Sequence, residues 1–410
     1  MAMQQVVDNV LQFIEKCRID SARWAFASKP NGPETLYGST FACMLYAYLG
    51  RLDELTADER EAWAAYLNSW QDGETGLFIG PELVASELSS PNHSYEHIAH
   101  HLAAHVLPAL DLLGAKPLVP LIFAYPYMEQ RFLAGWLAAR DFSDAWLEGN
   151  NLLFIGQFLL HLRDVENHPA AGAALKQYLD WLDEHQDPAT GLWGSDGACS
   201  NEIALYGGYH QLLVYYYENH PVNYPQQLID VALSLQHADG SFTPWGGGGA
   251  CEDVDAVDIL VNMYKQVPYR RPEIRLALRR ALPHILSMQM KDGGFLYSAN
   301  KPFIHMGIQK TASDANESNL FATWFRIHTL ALMGEVLTDE PTGQLTWGFN
   351  STCSMGWHPT WDKAANRIGR FERQEENWLL LKDSIQTTKQ RATGKVRRGM
   401  RKARELLHAQ

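Results

Sequence analysis

One short pattern recurs along the chain and limits what it can fold into more than any other feature. A glutamine is followed by a few polar residues, a glycine, any residue and an aromatic. It reads Gln236-His-Ala-Asp-Gly240-Ser-Phe242 and Gln289-Met-Lys-Asp-Gly293-Gly-Phe295. With one extra residue it reads Gln71-Asp-Gly-Glu-Thr-Gly76-Leu-Phe78 and Gln186-Asp-Pro-Ala-Thr-Gly191-Leu-Trp193. Weaker copies are expected at Trp24 and Trp146, which gives an irregular period of about fifty residues. An amphipathic helical stretch precedes each marker and a more apolar one follows it. The unit is therefore an outer helix, a Gly-containing turn and an inner helix. A lone helix pair cannot bury both apolar faces, so neighbouring pairs must stack. Six such pairs close into a ring, and no segment has strand periodicity.

The Gln-x3-Gly-x-aromatic pattern resembles the QW repeat of terpenoid cyclases and of protein prenyltransferase β-subunits. The resemblance covers about residues 20–335. It implies an all-α fold, an α/α toroid whose reactive centre lies in a cavity at the inner-helix N-termini. The expected organisation is a toroid over residues 1–338, an extension over 339–388 and a basic amphipathic tail over 389–410. The extension, rich in Trp, Gly and Ser, is expected to pack on the toroid or to cover its mouth.

Composition narrows the function. There are 34 Lys plus Arg against 47 Asp plus Glu, a formal charge of −13, which argues against nucleic acid as a partner. Five scattered cysteines without a CxxC give no disulfide framework and suit a reducing compartment. The N-terminus lacks the pattern of a signal peptide, and no uncharged apolar run of 18 residues occurs. The expected location is the cytoplasm, with membrane association through residues 389–410. There, eight basic residues face one acid, and Val396, Met400, Ala403 and Leu407 form an apolar stripe.

Three clusters fall where inner helices should begin. The first is Cys251-Glu-Asp-Val-Asp-Ala-Val-Asp258, after a run of four glycines. Glu252, Asp255 and Asp258 share one helix face, and crowding with desolvation would raise their pKa values. The second runs from Asn92 to His105 and sets His93, His97, His101 and His105 along one stripe. Such a stripe can wall a polar cavity, and His93, His97 and His101 form a weak candidate site for a divalent metal. No other cofactor is expected. The third is Asn201-Glu202-Ile-Ala-Leu-Tyr206-Gly-Gly-Tyr209-His210, with Glu202, Tyr206 and His210 one turn apart. Tyr37, Asn150, Asn151 and Asn319 occupy the corresponding positions of other repeats.

The segment Asp253-Val-Asp255-Ala256 looks like the Asp-x-Asp-Asp acid motif of class II terpenoid cyclases, with Ala256 in place of the last Asp. The resemblance makes Asp255 the acid that protonates an alkene or epoxide. Asp253 and Asp258 would hold its proton, and His210 or Tyr206 would remove one at the end. Glu252, His93, His97, Tyr37, Asn150, Asn151, Asn319, Trp245 and Trp324 are expected to contact a small isoprenoid substrate. The same polar set would suit a glycan. In a carbohydrate lyase a Tyr206/His210 pair would act, and in a glycoside hydrolase Glu202 with Asp255. A non-catalytic toroid that binds a partner is the third possibility.

Overall fold

The computed structural model describes residues 3–20, 23–88, 93–359, 369 and 371–384. Among these residues, twelve α-helices alternate along the chain as far as Val336. The outer members are α1 Met3–Cys17, α3 Ala57–Asn68, α5 Gln130–Ala138, α7 Ala171–His185, α9 Pro225–Ser234 and α11 Arg271–Ser287. The inner members are α2 Leu36–Tyr48, α4 Tyr95–Leu112, α6 Ala145–Asp164, α8 Asn201–Tyr217, α10 Ala250–Gln266 and α12 Leu320–Val336. Each inner helix touches the next, and α12 returns to α2, so six pairs form a closed toroid.

Burial separates the two rings. In α1 only Met3, Val6, Val7, Val10, Phe13, Ile14 and Cys17 are buried, one stripe of a helix that faces water on its other side. In α12 every residue from Leu320 to Val336 is buried, as an inner helix packed on all sides requires.

The recurring glutamine and glycine join each turn to the next outer element. Gln71 Nε2 donates to the Gly76 carbonyl at 3.1 Å and to that of Val119 at 2.9 Å. Gln236 Nε2 repeats this with Gly240 at 3.2 Å and Ala277 at 2.8 Å. Gln289 Nε2 does so with Gly293 at 3.0 Å and Val6 at 3.2 Å. Gln186 Nε2 closes its own turn on Gly191 at 2.8 Å, and its Oε1 accepts from Asn223 Nδ2 at 3.2 Å. Each glycine has positive φ, +98° at Gly240 and +104° at Gly293. A Cβ would lie 2.2 Å from the Arg280 carbonyl at Gly240, and 2.1 Å from the Asn9 carbonyl at Gly293. Both the backbone and the available space therefore demand glycine. The Gly293 contact presses the last repeat onto α1 and closes the ring. The aromatics Phe78, Trp193, Phe242 and Phe295 are fully buried beneath these turns.

Two of the expected marker positions differ. Trp146 lies inside the first turn of α6, not in a turn before an inner helix. Trp24 sits between β1 Arg18–Asp20 and β2 Ala25–Ala27, which with β3 Glu34–Thr35 form a small antiparallel sheet. These strands depart from the expectation of none. They are only two or three residues long, too short to leave a period-2 signature. Trp24 stacks on Trp63 of α3 at 4.6 Å, so the turn is held by packing.

Residues beyond α12 cross the end of the ring where the inner helices finish. Gly348 N donates to the Tyr48 carbonyl at 3.2 Å, and Tyr48 Oη to the Gly356 carbonyl at 2.9 Å. Ser351 bonds Asp111 near the end of α4. These contacts lie at the end opposite the inner-helix N-termini. A helical segment over 371–384 docks on α11 through Glu376, which accepts from Arg275 Nε at 2.9 Å. The basic stretch 389–410 lies outside the described residues.

The glycine geometry gives a direct test. Gly240→Ala should lower stability by about 2 kcal/mol or more, from positive-φ strain plus a backbone clash. Gly135→Ala, an exposed helix position where a Cβ meets nothing within 4 Å, should be neutral or gain about 0.5–1 kcal/mol. Denaturant midpoints of the two variants check this contrast.

Candidate active site

A cavity of about 300 Å³ opens at the inner-helix N-termini. Its polar wall carries Asp255 of α10, His101 of α4, His210 of α8, Asn150 of α6, and His93 and His305 from connecting loops. Its apolar wall carries Trp146, Phe303, Phe321 and Phe325, with Met355 from the chain beyond α12.

Asp255 is the chemical centre. It is 1% exposed, and its Oδ2 has no partner within the protein. Burial, then crowding by Glu252, Asp258 and Asp253, pushes its carboxyl well above the usual range. The shift favours the protonated acid over the carboxylate at this position. Asp258, two turns into α10, is also buried and has its carboxyl pushed up to about 8 by desolvation. Its Oδ1 accepts from Asn262 Nδ2 at 3.0 Å, and it lies behind the cavity wall. Glu252 is raised by burial and accepts from Tyr297 Oη at 2.9 Å.

Asp253 differs from the expectation that it holds a proton for Asp255. Burial alone would raise its carboxyl, but the Arg326 guanidinium and His284 hold it below the usual range. Arg326 bonds it directly, His284 lies 3.3 Å away, and the Phe242 amide donates to its Oδ1 at 2.9 Å. Asp253 is thus an ionised tie between α10, α11 and α12 and the turn at Phe242.

The histidines are neutral. Burial pushes His210 down to about 4, and His101 and His305 well below their ordinary value. His210 Nδ1 donates to the Tyr206 carbonyl at 2.8 Å, which leaves Nε2 as an acceptor. His101 Nδ1 meets Tyr37 Oη at 2.7 Å. A carboxyl pushed up by burial and imidazoles pushed down by it thus share one cavity.

Several expected residues stand elsewhere. Tyr206 Oη is engaged with the Phe242 carbonyl at 3.0 Å, and neither Tyr206 nor Glu202 lines the cavity. Trp245, in the glycine run, is 63% exposed at the surface. Asn319 caps α12, with Oδ1 accepting from the Ala322 amide at 2.8 Å. Trp324 is buried between the rings of Phe41 at 5.1 Å and Phe325 at 4.5 Å, behind the wall. Asn150 donates to the Trp146 carbonyl and lines the cavity. Asn151 and His97 bond each other at 2.7 Å and face a neighbouring chamber. Among the described residues, no group of three or more His, Cys, Asp or Glu is arranged to hold a metal. The His93 ring, just before α4, stacks on that of His97, the His101 ring lies tilted 6.5 Å further on, and the Nδ1 atoms of His97 and His101 are taken by Asn151 and Tyr37.

His305, Phe303, Cys251 and Asp144 line the cavity without having been singled out in the sequence. His305 and Phe303 belong to the long connection between α11 and α12, at no repeat position. A bridge from Phe303 to Ser313 folds that connection back over the ring. Phe321 and Phe325 carried a usable signal, since they stand one turn apart at the start of an inner helix.

Fold and site together define an α/α toroid with an acid in its central cavity. The chain belongs to the prenyltransferase α-α toroid domain family, whose model matches residues 2–116 and 143–347. Among solved structures it is similar to a polysaccharide lyase, at 13% identity and TM-score 0.45, covering 81% of this chain and 97% of that one. It is also similar to a glycosyl hydrolase family 88 protein from Bacteroides vulgatus, at 12% identity and TM-score 0.45, covering 81% and 99%. A protein from Actinoplanes matches at 13% identity and TM-score 0.44, covering 80% and 99%. No curated protein matches the chain in sequence.

The two kinds of carboxyl on α10 respond oppositely to change. Folded Asp258 keeps its proton to about pH 8, whereas the unfolded chain loses it near 3.8, so this group's contribution to stability falls as pH rises between those values. Asp258→Asn should flatten that slope in unfolding measured from pH 5 to 8. Asp253→Ala leaves the fully buried Arg326 uncompensated, and should cost about 3–5 kcal/mol in the same measurement.

Proposed function

We propose that this protein is an acid–base enzyme that rearranges or cyclises a neutral isoprenoid. Asp255 donates its proton to a double bond or epoxide, and a carbocation forms. Trp146, Phe303, Phe321 and Phe325 stabilise that cation through their ring faces. Loss of a proton from a neighbouring carbon to His210 Nε2 gives the new alkene, and the Asp255 carboxylate is reprotonated before the next turnover. Protons balance, so the product of an alkene substrate is an isomer.

The observation that carries this reading is a buried Asp255 with an unpartnered Oδ2, set in a cavity wall that also holds His210 and the four rings of Trp146, Phe303, Phe321 and Phe325. No Lys or Arg stands among the described residues lining it, so it offers no cationic clamp for a diphosphate or a uronate. Its volume lies at the low end of ligand cavities, roughly 300–1,000 Å³, and suits a small folded chain better than a polymer. The placement of the residues named for sugar chemistry also favours this reading. Glu202 is not at the wall with Asp255, and the Tyr206 hydroxyl is committed to a backbone carbonyl.

Asp255→Asn replaces a protonated acid by an isostere that cannot donate a proton to carbon. Product formation from a neutral polyprenyl alkene or epoxide should fall about 10²–10⁴-fold, with the fold retained. Unchanged turnover would contradict the assignment. Turnover of a polysaccharide by the unmodified enzyme would favour the carbohydrate alternative instead. The basic stretch 389–410 suits the surface of an anionic bilayer, where an isoprenoid would reside. Deleting it should weaken binding to phosphatidylserine vesicles, and equal binding would reject that role.

A further inference from the structure

A second cavity, of about 310 Å³, lies beside the first. Leu147 lines both. The His93 ring, at the wall of the first, stacks 5.1 Å from the ring of His97, at the wall of the second. The two differ in chemistry, because hydrogen-bonding side chains dominate the second wall, among them Ser94, His97, His100, Tyr127, Arg140 and Asn151.

Four of its surrounding side chains form a directed chain. Arg140 Nη1 donates to Glu148 Oε2 at 2.7 Å, and the same oxygen accepts from Asn151 Nδ2 at 3.0 Å. The second bond fixes the amide, so Asn151 Oδ1 faces His97 Nδ1 at 2.7 Å. An amide oxygen only accepts, so His97 carries its proton on Nδ1 and leaves a bare lone pair on Nε2. His97 is 6% exposed, and that Nε2 has no partner within the protein. A buried acceptor without a donor is costly. Here three other residues hold the ring in the tautomer that creates it.

We infer that this chamber binds a neutral, hydroxyl-bearing group whose O–H donates to His97 Nε2. A fully ionised phosphate or a carboxylate has no proton to give that atom. The one guanidinium at the wall is already engaged by Glu148. Because the chambers share Leu147, the hydroxyl is best read as the polar head of the molecule whose apolar part meets Asp255. In that respect the inference rests on the isoprenoid reading, whereas the chamber itself does not.

The test is a calorimetric titration with a prenyl alcohol and with its methyl ether, which keeps the oxygen but lacks the donor. The alcohol should bind about tenfold tighter or better. His97→Phe should erase that difference, while His97→Gln, which retains an acceptor, should keep part of it. Asp255→Asn should leave it intact. Equal binding of alcohol and ether to the unmodified protein would overturn the inference even if His97→Phe failed to fold. Glycerol serves as the chain-free probe, read by the ¹⁵N resonance of His97 Nε2. A shift with glycerol but no binding of prenyl alcohol would keep the chamber and sink the isoprenoid reading. No shift with glycerol would sink the chamber.

Discussion

Carboxyl groups cannot stay ionised side by side in an apolar interior, and α10 carries three buried ones within six residues. The chain resolves this in two ways. Asp253 keeps its charge because Arg326 and His284 meet it and the Phe242 amide adds a hydrogen bond. Asp255 and Asp258 have no such cation among the described residues, and burial pushes their carboxyls up instead. One choice ties three helices together. The other stores an acid in a cavity. The site exists because neighbouring positions on one helix face different partners.

The ring makes that difference possible. A bundle without closure would leave the inner-helix N-termini open to water, and water would let Asp255 ionise. Closure depends on the four glutamine–glycine turns, each of which joins its own pair to the next, and finally on Gly293 against α1. The described chain beyond α12 crosses the opposite end and reaches the cavity wall with Met355. The burial of Asp255 is thus a property of the whole annulus, assembled from segments hundreds of residues apart.

The fold was legible because its signal repeats. A glutamine that must reach two carbonyls, and a glycine that must accept positive φ against a neighbour's backbone, leave residue types the chain cannot vary freely. Asp255 and His210 were legible for a related reason, as polar residues early in apolar inner helices. Tyr206, Asn319 and Trp324 share that placement, yet one bonds a carbonyl, one caps a helix and one packs in the core. Their helical positions are alike, and only the direction of each side chain and the groups it meets separate them. Asp253 misled for the same reason, since Arg326 lies 73 residues away and is matched to it only by folding. His305 stood beyond reach because a long connection of no regular period carries it over the mouth.

The proposed chemistry requires Asp255 to be a neutral carboxylic acid at physiological pH. Infrared difference spectroscopy between the unmodified protein and Asp255→Asn at pH 7 isolates that one group. A neutral Asp255 gives a protonated C=O stretch that is lost in the variant and persists as pH is raised through the ordinary carboxylate range. A carboxylate band for Asp255 at pH 7 would contradict it.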